Sequence, residues 1–191
     1  MRLRLLLSTL ILTGLTGCAS LINTDSNEHA LSQLERWDIT GKISIRSPNE
    51  AATGYLSWNQ NGSRYELFIS GPLGQGSTSI KGNDQQTQLL LPGWQHPQTA
   101  ENPETLMQQH LGWHFPIQDI FYWIKGQPAP GTEFTLKQDD YGMTESLTQH
   151  GWRIEYSRYQ QHQTYWLPGR VSIKGHDHRF ILSINKWTVY D

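Results

Sequence analysis

The chain is poor in cysteine: among 191 residues only Cys18 carries a thiol. A single cysteine excludes an intramolecular disulfide, so the core must hold the fold. Net charge is also small, with 15 basic against 17 acidic residues and a formal charge of −2. That balance gives no footprint for nucleic acid and no polybasic patch for a membrane surface. Long apolar runs are missing too. The stretch from Leu5 to Leu15 is short of the ~20 residues needed to cross a bilayer. The sequence has no G-x-S-x-G, H-E-x-x-H or P-loop, the local signatures of several hydrolases, zinc proteases and nucleotide-binding enzymes. It has no long internal repeat and no low-complexity block.

The N-terminus is organised for processing. Arg2 and Arg4 precede the short apolar run, which ends Leu15-Thr16-Gly17-Cys18. Positive residues, a short apolar region and a small-residue site make a signal peptide rather than a membrane anchor. The last four residues resemble the lipobox of bacterial lipoproteins, in which cleavage precedes the cysteine and its thiol takes the diacylglycerol. Modification also explains an unpaired thiol in an oxidising compartment. Residue 19 is alanine, not the aspartate associated with inner-membrane retention, which points to the outer membrane. Residues 1–17 are therefore expected to be removed. Residues 18–30 read as a lipidated, polar tether, and 31–191 as one domain.

Within that domain the pattern is mostly strands. Trp37, Ile39, Gly41, Ile43 and Ile45 alternate with polar residues, which is the period of a half-buried strand. Gly54, Leu56 and Trp58 repeat it, and Asn61-Gly62 predicts a hairpin turn. A third strand runs from Arg64 to Ser70, with Tyr65, Leu67 and Ile69 on one face. Residues 77–81 and 88–91 predict two more. Asn102-Pro103-Glu104 then opens a helix that stops at Gly112. Pro116 opens a second, with Ile117, Ile120, Phe121 and Ile124 at i, i+3, i+4 and i+7. Strands resume at 152–157, 171–173 and 179–189. Antiparallel strands with a helical insert predict an α+β, mostly β fold: a curved sheet covered on one side by helices. Its eight tryptophans fit either a packed core or a sheet curled around apolar space.

Chemistry-bearing clusters are few. His176-Asp177-His178 is the best candidate for a metal, but it lies between Gly175 and Arg179, where a solvated hairpin turn is expected. Asp139-Asp140 falls on opposite faces of a strand or in a turn. No catalytic residue, cofactor or metal site is assigned, and the chain is not read as an enzyme.

Taken in order, several motifs resemble the LolB family of outer-membrane lipoprotein receptors. They are Trp37 with Gly41-Lys42-Ile43, Trp58, Gly71-Pro72-Leu73-Gly74, Leu111-Gly112-Trp113 with Pro116, and Trp123-Ile124-Lys125-Gly126. Trp152 to Tyr156, Leu167-Pro168 and Trp187 complete the set. Together they cover most of residues 35–190. The resemblance implies an incomplete antiparallel β-barrel closed by a helical lid over an apolar cavity. It implies an outer-membrane protein, lipid-anchored and facing the periplasm. Such a protein receives triacylated lipoproteins from the soluble carrier LolA and places them in outer-membrane phospholipid, with no nucleotide and no metal. A monomer is expected.

The same resemblance bears on particular residues. Leu73 is the apolar residue in the glycine- and proline-rich turn Gly71, Pro72, Gly74. From the residues alone two readings stay open: a loop tip that inserts into a bilayer, or a leucine folded back onto the core. The family's protruding leucine lies in the matching Pro-Leu-Gly, which favours insertion. The turn after Leu73 is richer in glycine than the family pattern and lacks acidic residues. Ile117, Ile120, Phe121 and Ile124 are expected on the lid helix. Leu56, Trp58, Leu67, Ile69, Trp123 and Trp152 are expected to line the cavity. The alternative function is a lipid-anchored structural lipoprotein that binds a partner through its apolar surface. A stable stoichiometric complex would distinguish it from a carrier that turns over.

Overall fold

The structure is a computed structural model that describes residues 24–48, 51–74, 76–112 and 116–190. The signal segment 1–17, Cys18 and Trp113 lie outside the described residues. A helix, α1 (Thr24–Gln33), leads into β1 (Arg36–Arg46), β2 (Ala51–Asn61), β3 (Arg64–Ser70), β4 (Ser77–Gly82), β5 (Thr87–Leu90) and β6 (Gln98–Ala100). Two helices follow, α2 (Pro103–Leu111) and α3 (Ile117–Trp123). The chain then forms β7 (Phe134–Gln138), β8 (Thr144–Gln149), β9 (Trp152–Ser157), β10 (Gln160–His162), β11 (Tyr165–Leu167), β12 (Arg170–Gly175) and β13 (His178–Val189).

Eleven strands make one antiparallel sheet in the order β6-β5-β4-β3-β2-β1-β13-β12-β9-β8-β7, with β10 and β11 as a separate pair. The two ends, β6 and β7, are not paired with each other, so the sheet does not close into a barrel. Period-two patterning explains the central strands. Trp37, Ile39 and Ile43 are buried on β1, and Leu56 and Trp58 on β2. Register sets Ile39 opposite Trp58 and Ile43 opposite Gly54, so large and small side chains alternate across the layer. Trp58 and Trp187 pack on Trp37 at ring-centroid distances of 4.9 and 5.3 Å. The Trp187 indole donates to the Pro168 carbonyl at 3.0 Å, so its one polar atom is satisfied inside the core.

The first central helix begins and ends at its capping residues, whereas the second has no side-chain cap. The Asn102 side chain accepts from the Thr105 amide at 2.9 Å, Pro103 occupies the first turn, and Gly112 adopts φ 70° at the C-terminus. Pro116 precedes α3, and Gly126, at φ 84°, turns the chain after it.

Three expectations shift. The β2–β3 hairpin turns on Gly62-Ser63 rather than Asn61-Gly62, because Asn61 pairs with Arg64. Gly62 has φ 59°, which suits a turn with glycine at its first central position. Residues 24–30, read as tether, are helical and docked: the Asn27 side chain accepts from the Trp166 amide, and the Glu28 carbonyl accepts from the Gln127 side chain. β6, β7, β8, β10 and β11 were not expected as strands. β8 buries polar Thr144 and Gln149, and β7 is a largely exposed edge, so neither carries an apolar alternation.

Candidate functional site

The concave face of the sheet and the two central helices enclose an apolar cavity of about 60 Å³. Its walls come from distant parts of the chain. Ile43 and Ile45 stand on β1, Leu56 and Trp58 on β2, and Leu67 and Ile69 on β3. Ile80, Ile173, Phe180 and Leu182 continue the floor, while Met107 of α2 and Ile117 and Ile120 of α3 form the roof. Every lining side chain is aliphatic, aromatic or a thioether. Such a space offers no partner to a water molecule and stays dry unless an apolar ligand enters. Its present volume equals about two waters' share of liquid, far less than an acyl chain occupies. As it stands, the space does not hold such a chain.

Four of the six residues expected to line this space do so: Leu56, Trp58, Leu67 and Ile69. Trp123 and Trp152 do not. The Trp123 indole instead donates to Gln149 Oε1 at 2.8 Å, and Gln149 also bridges the Ala129 amide and carbonyl. Gln149 thus pins the end of α3 and the loop after it to β8. Trp152 packs at the end of β9 against Phe180 and His176. On the lid helix, Ile117 and Ile120 face the cavity as expected. Phe121 packs instead on Trp58 and Tyr65, and Ile124 is fully buried where the helix ends. Ile43, Ile45, Ile80 and Met107 and the far-side residues Ile173, Phe180 and Leu182 were missed. Alternation marks the strand residues as inward-facing, but only strand order sets β13 beside β1 and β12 beside β13 around the same space.

Two larger hollows, of 490 and 510 Å³, flank α1 and open to solvent. Lys125 lines both, and polar side chains such as Ser32, Glu35, Glu28 and Gln138 stand in their walls. Neither offers the dry enclosure of the smaller cavity. Between them Lys125 is buried, and its Nζ donates to the Leu31 and Leu34 carbonyls at 3.1 and 3.0 Å. Burial lowers its pKa to about 8, with Glu35 acting in the opposite sense. This ammonium caps the end of α1 and joins it to the turn that follows α3.

The turn between β3 and β4 projects from one end of the sheet. Pro72–Gly74 form a single 3-10 turn, closed by Gly74 N–H to Gly71 O at 3.1 Å. The Gly71 amide bonds the Gly76 carbonyl across its base at 3.1 Å. Pro72 and Gly74 are exposed, and Gly74 and Gly76 have φ of 73° and 64°. Leu73 occupies the middle of that turn.

His176 and Asp177 form the β12–β13 hairpin turn, with φ of 47° and 62°. The His176 ring donates to the His150 carbonyl, and His178 Nδ1 to the His176 carbonyl. Asp139 sits in the β7–β8 turn, where its carboxylate accepts from the Tyr141 and Met143 amides at 2.9 Å. Both clusters therefore serve turn geometry.

Comparison with known proteins agrees with this architecture. Residues 35–187 match the family model described as outer membrane lipoprotein LolB. The outer-membrane lipoprotein LolB of Pseudomonas paraeruginosa is 37% identical over 98% of this chain and 97% of its own. That of Stutzerimonas stutzeri is 36% identical over 91% of this chain and 89% of its own. Among solved structures, a LolA superfamily protein from Nitrosomonas europaea superposes with a TM-score of 0.58 at 10% identity. It covers 90% of this chain and 95% of its own. A putative outer membrane lipoprotein-sorting protein domain from Vibrio parahaemolyticus gives a TM-score of 0.54 at 9% identity, over 88% and 91%. The structures share the fold, and the sequence match over nearly the whole length goes further: this chain belongs to the LolB family of outer-membrane lipoproteins.

Proposed function

We propose that the protein is a periplasm-facing acceptor in lipoprotein localisation, anchored through lipid on Cys18. It takes triacylated lipoproteins from the soluble periplasmic carrier LolA, houses their acyl chains beneath α2 and α3, and releases them into outer-membrane phospholipid. The observation that carries this reading is the wholly apolar cavity under two helices on an open sheet. Burial is worth about 0.8 kcal/mol per methylene, so an acyl chain of common length resists transfer through water by on the order of 10 kcal/mol. A cavity that opens supplies the burial without covalent chemistry or nucleotide. Direction then follows from affinity, which rises from carrier to acceptor to bilayer.

Leu73 is the residue assigned to bilayer entry, on a turn presented by Gly71, Pro72 and Gly74. Moving a leucine side chain from water to hydrocarbon is worth about 1.5–3 kcal/mol. Leu73→Glu is therefore expected to fold normally yet deliver cargo to liposomes roughly tenfold to a hundredfold more slowly. Normal delivery by the folded variant would remove Leu73 from the mechanism.

The test of the whole reading is transfer. A mature chain carrying Cys18→Ser is mixed with a carrier loaded with labelled lipoprotein, and then with liposomes, in the absence of ATP. Label should pass to this protein and onward to lipid. If a folded protein takes no label from an active carrier, the acceptor reading fails.

A further inference from the structure

The register of the sheet assembles a feature that linear sequence scatters over more than a hundred positions. Arg46 of β1 pairs with Arg179 of β13, Arg179 pairs with Lys174 of β12, and Lys174 pairs with Arg153 of β9. Directly paired residues point to the same face. The parallel row Ile45, Phe180, Ile173 and Ile154 points inward, so the four cations stand side by side on the outer face. Their Cβ atoms are about 5 Å apart, a spacing at which like charges repel. Two residues further along that face, Glu155 bonds Arg153 at 3.0 Å. Among the described residues, no carboxylate pairs with Arg46, Arg179 or Lys174. Asp177 lies in the adjacent turn, and Glu50, beyond Arg46, is outside the described residues. A polybasic patch, not expected from net charge, therefore exists as a row across four strands.

Its position gives it a partner. The row runs along the end of the sheet from which the Pro72–Gly74 turn projects, since Arg46 ends β1 and Ser70 and Ser77 flank that turn two strands away. Beside the row, four residues down β1, the outer face carries Lys42 over the ring of Tyr55 at 5.7 Å, and two residues further from that end it carries exposed Phe68 on β3. Cations beside exposed aromatics are the composition of a surface that meets lipid headgroups.

We propose that this outer face, from the row Arg46–Arg179–Lys174–Arg153 to Tyr55, docks on anionic phospholipid headgroups and so orients the Pro72–Gly74 turn toward the bilayer. The inference rests on the acceptor reading only for the direction of that turn. Repulsion within the row is retained because the headgroups relieve it on contact. Each cation near an anionic surface contributes roughly a fivefold gain in binding.

The test needs neither carrier nor cargo, so it stays readable if the transfer experiment fails. The mature chain with Cys18→Ser is floated with vesicles of phosphatidylethanolamine alone, or with a quarter phosphatidylglycerol. Binding should be much stronger to the anionic vesicles and fall steeply with added salt. Arg46→Gln, Arg179→Gln and Lys174→Gln should each weaken it about fivefold, and together roughly a hundredfold. The same variants should melt at or above the parent temperature, because repulsion is relieved, so lost binding is not lost fold. Leu73→Glu should keep the preference for anionic vesicles. Equal binding to both vesicle types, or a triple variant that binds like the parent, would overturn the proposal.

Discussion

Lys125 is a cation buried where α1 ends, held by two backbone carbonyls rather than by a carboxylate. A neutral amine still donates to both carbonyls, so the charged form is what burial penalises. The folded protein releases this proton near pH 8 and the unfolded chain near 10.5. Between those values the unfolded state holds more protons, so stability rises with pH, by up to about 1.4 kcal/mol per unit. Above pH 10 the buried Tyr65 and half-buried Tyr159, whose pKa values burial raises, reverse the trend, because the unfolded chain then loses protons that the folded one keeps. Denaturant midpoints should therefore climb from pH 8 to 10 in the parent and stay flat in Lys125→Met. A parent curve without that climb would mean the amine is hydrated. Gly41 tests sterics at the same scale. It lies at the β-bulge between Thr40 and Gly41, where an added Cβ would collide with the Ser183 carbonyl oxygen. Gly41→Ala should cost about 2 kcal/mol in urea unfolding, whereas an unchanged midpoint would show that β13 gives way.

Among the elements, α3 is pinned at its end by Trp123 and Gln149 and held at its start by a weaker tie. Its first turn is held to the β8–β9 hairpin by His150 Nδ1 to Asp119 Oδ2 at 2.5 Å, a partly exposed contact. Such pairs contribute about 0.2–1 kcal/mol, enough to change the open fraction of a lid up to about fivefold without threatening the fold. Asp119→Asn should speed uptake of a fluorescent fatty acid by that factor, with Tm nearly unchanged. In a cycle with His150→Gln, the double variant should behave like either single one; additive effects would disprove the latch. This contact also shows where sequence reading stops. The strands with apolar alternation, the capped α2, the proline-led α3 and four cavity residues are readable locally, because period and capping depend on near neighbours. Trp123 and Trp152 carry the same apolar signal as Trp58, and only the pairing of β8 with β9 and the Gln149 bridge place them elsewhere. Gln149 itself, polar and buried, has no local signature. Neither does the basic row, whose four members come from strands separated in sequence and joined by register.

For the whole molecule, the question is whether lid and sheet separate as units. Strands β2, β1, β13, β12 and β9 are each bonded on both sides, with a continuous core from Trp37 to Ile154. The helices α2 and α3 instead roof a cavity too small for the proposed cargo, on a sheet whose edges β6 and β7 do not pair with each other. Stability should then be graded, with a low-energy opening of the roof well below global unfolding. Cys18 is the sole thiol, so a Cys18→Ser background permits one reporter at a time. Ile120→Cys, under the roof, should react with a thiol reagent at a rate that hardly changes in low urea, because its opening exposes little surface. Ile154→Cys, at the centre of the sheet, should react only as global unfolding allows, with a steep dependence on urea. Prior loading with a fatty acid should slow the Ile120→Cys reaction by occupying the space the reagent enters, and leave Ile154→Cys unaffected. If both positions share one urea dependence, the roof does not move independently of the sheet. Acyl chains would then have to enter by partial unfolding of the entire domain, a route with no role for a latch at Asp119.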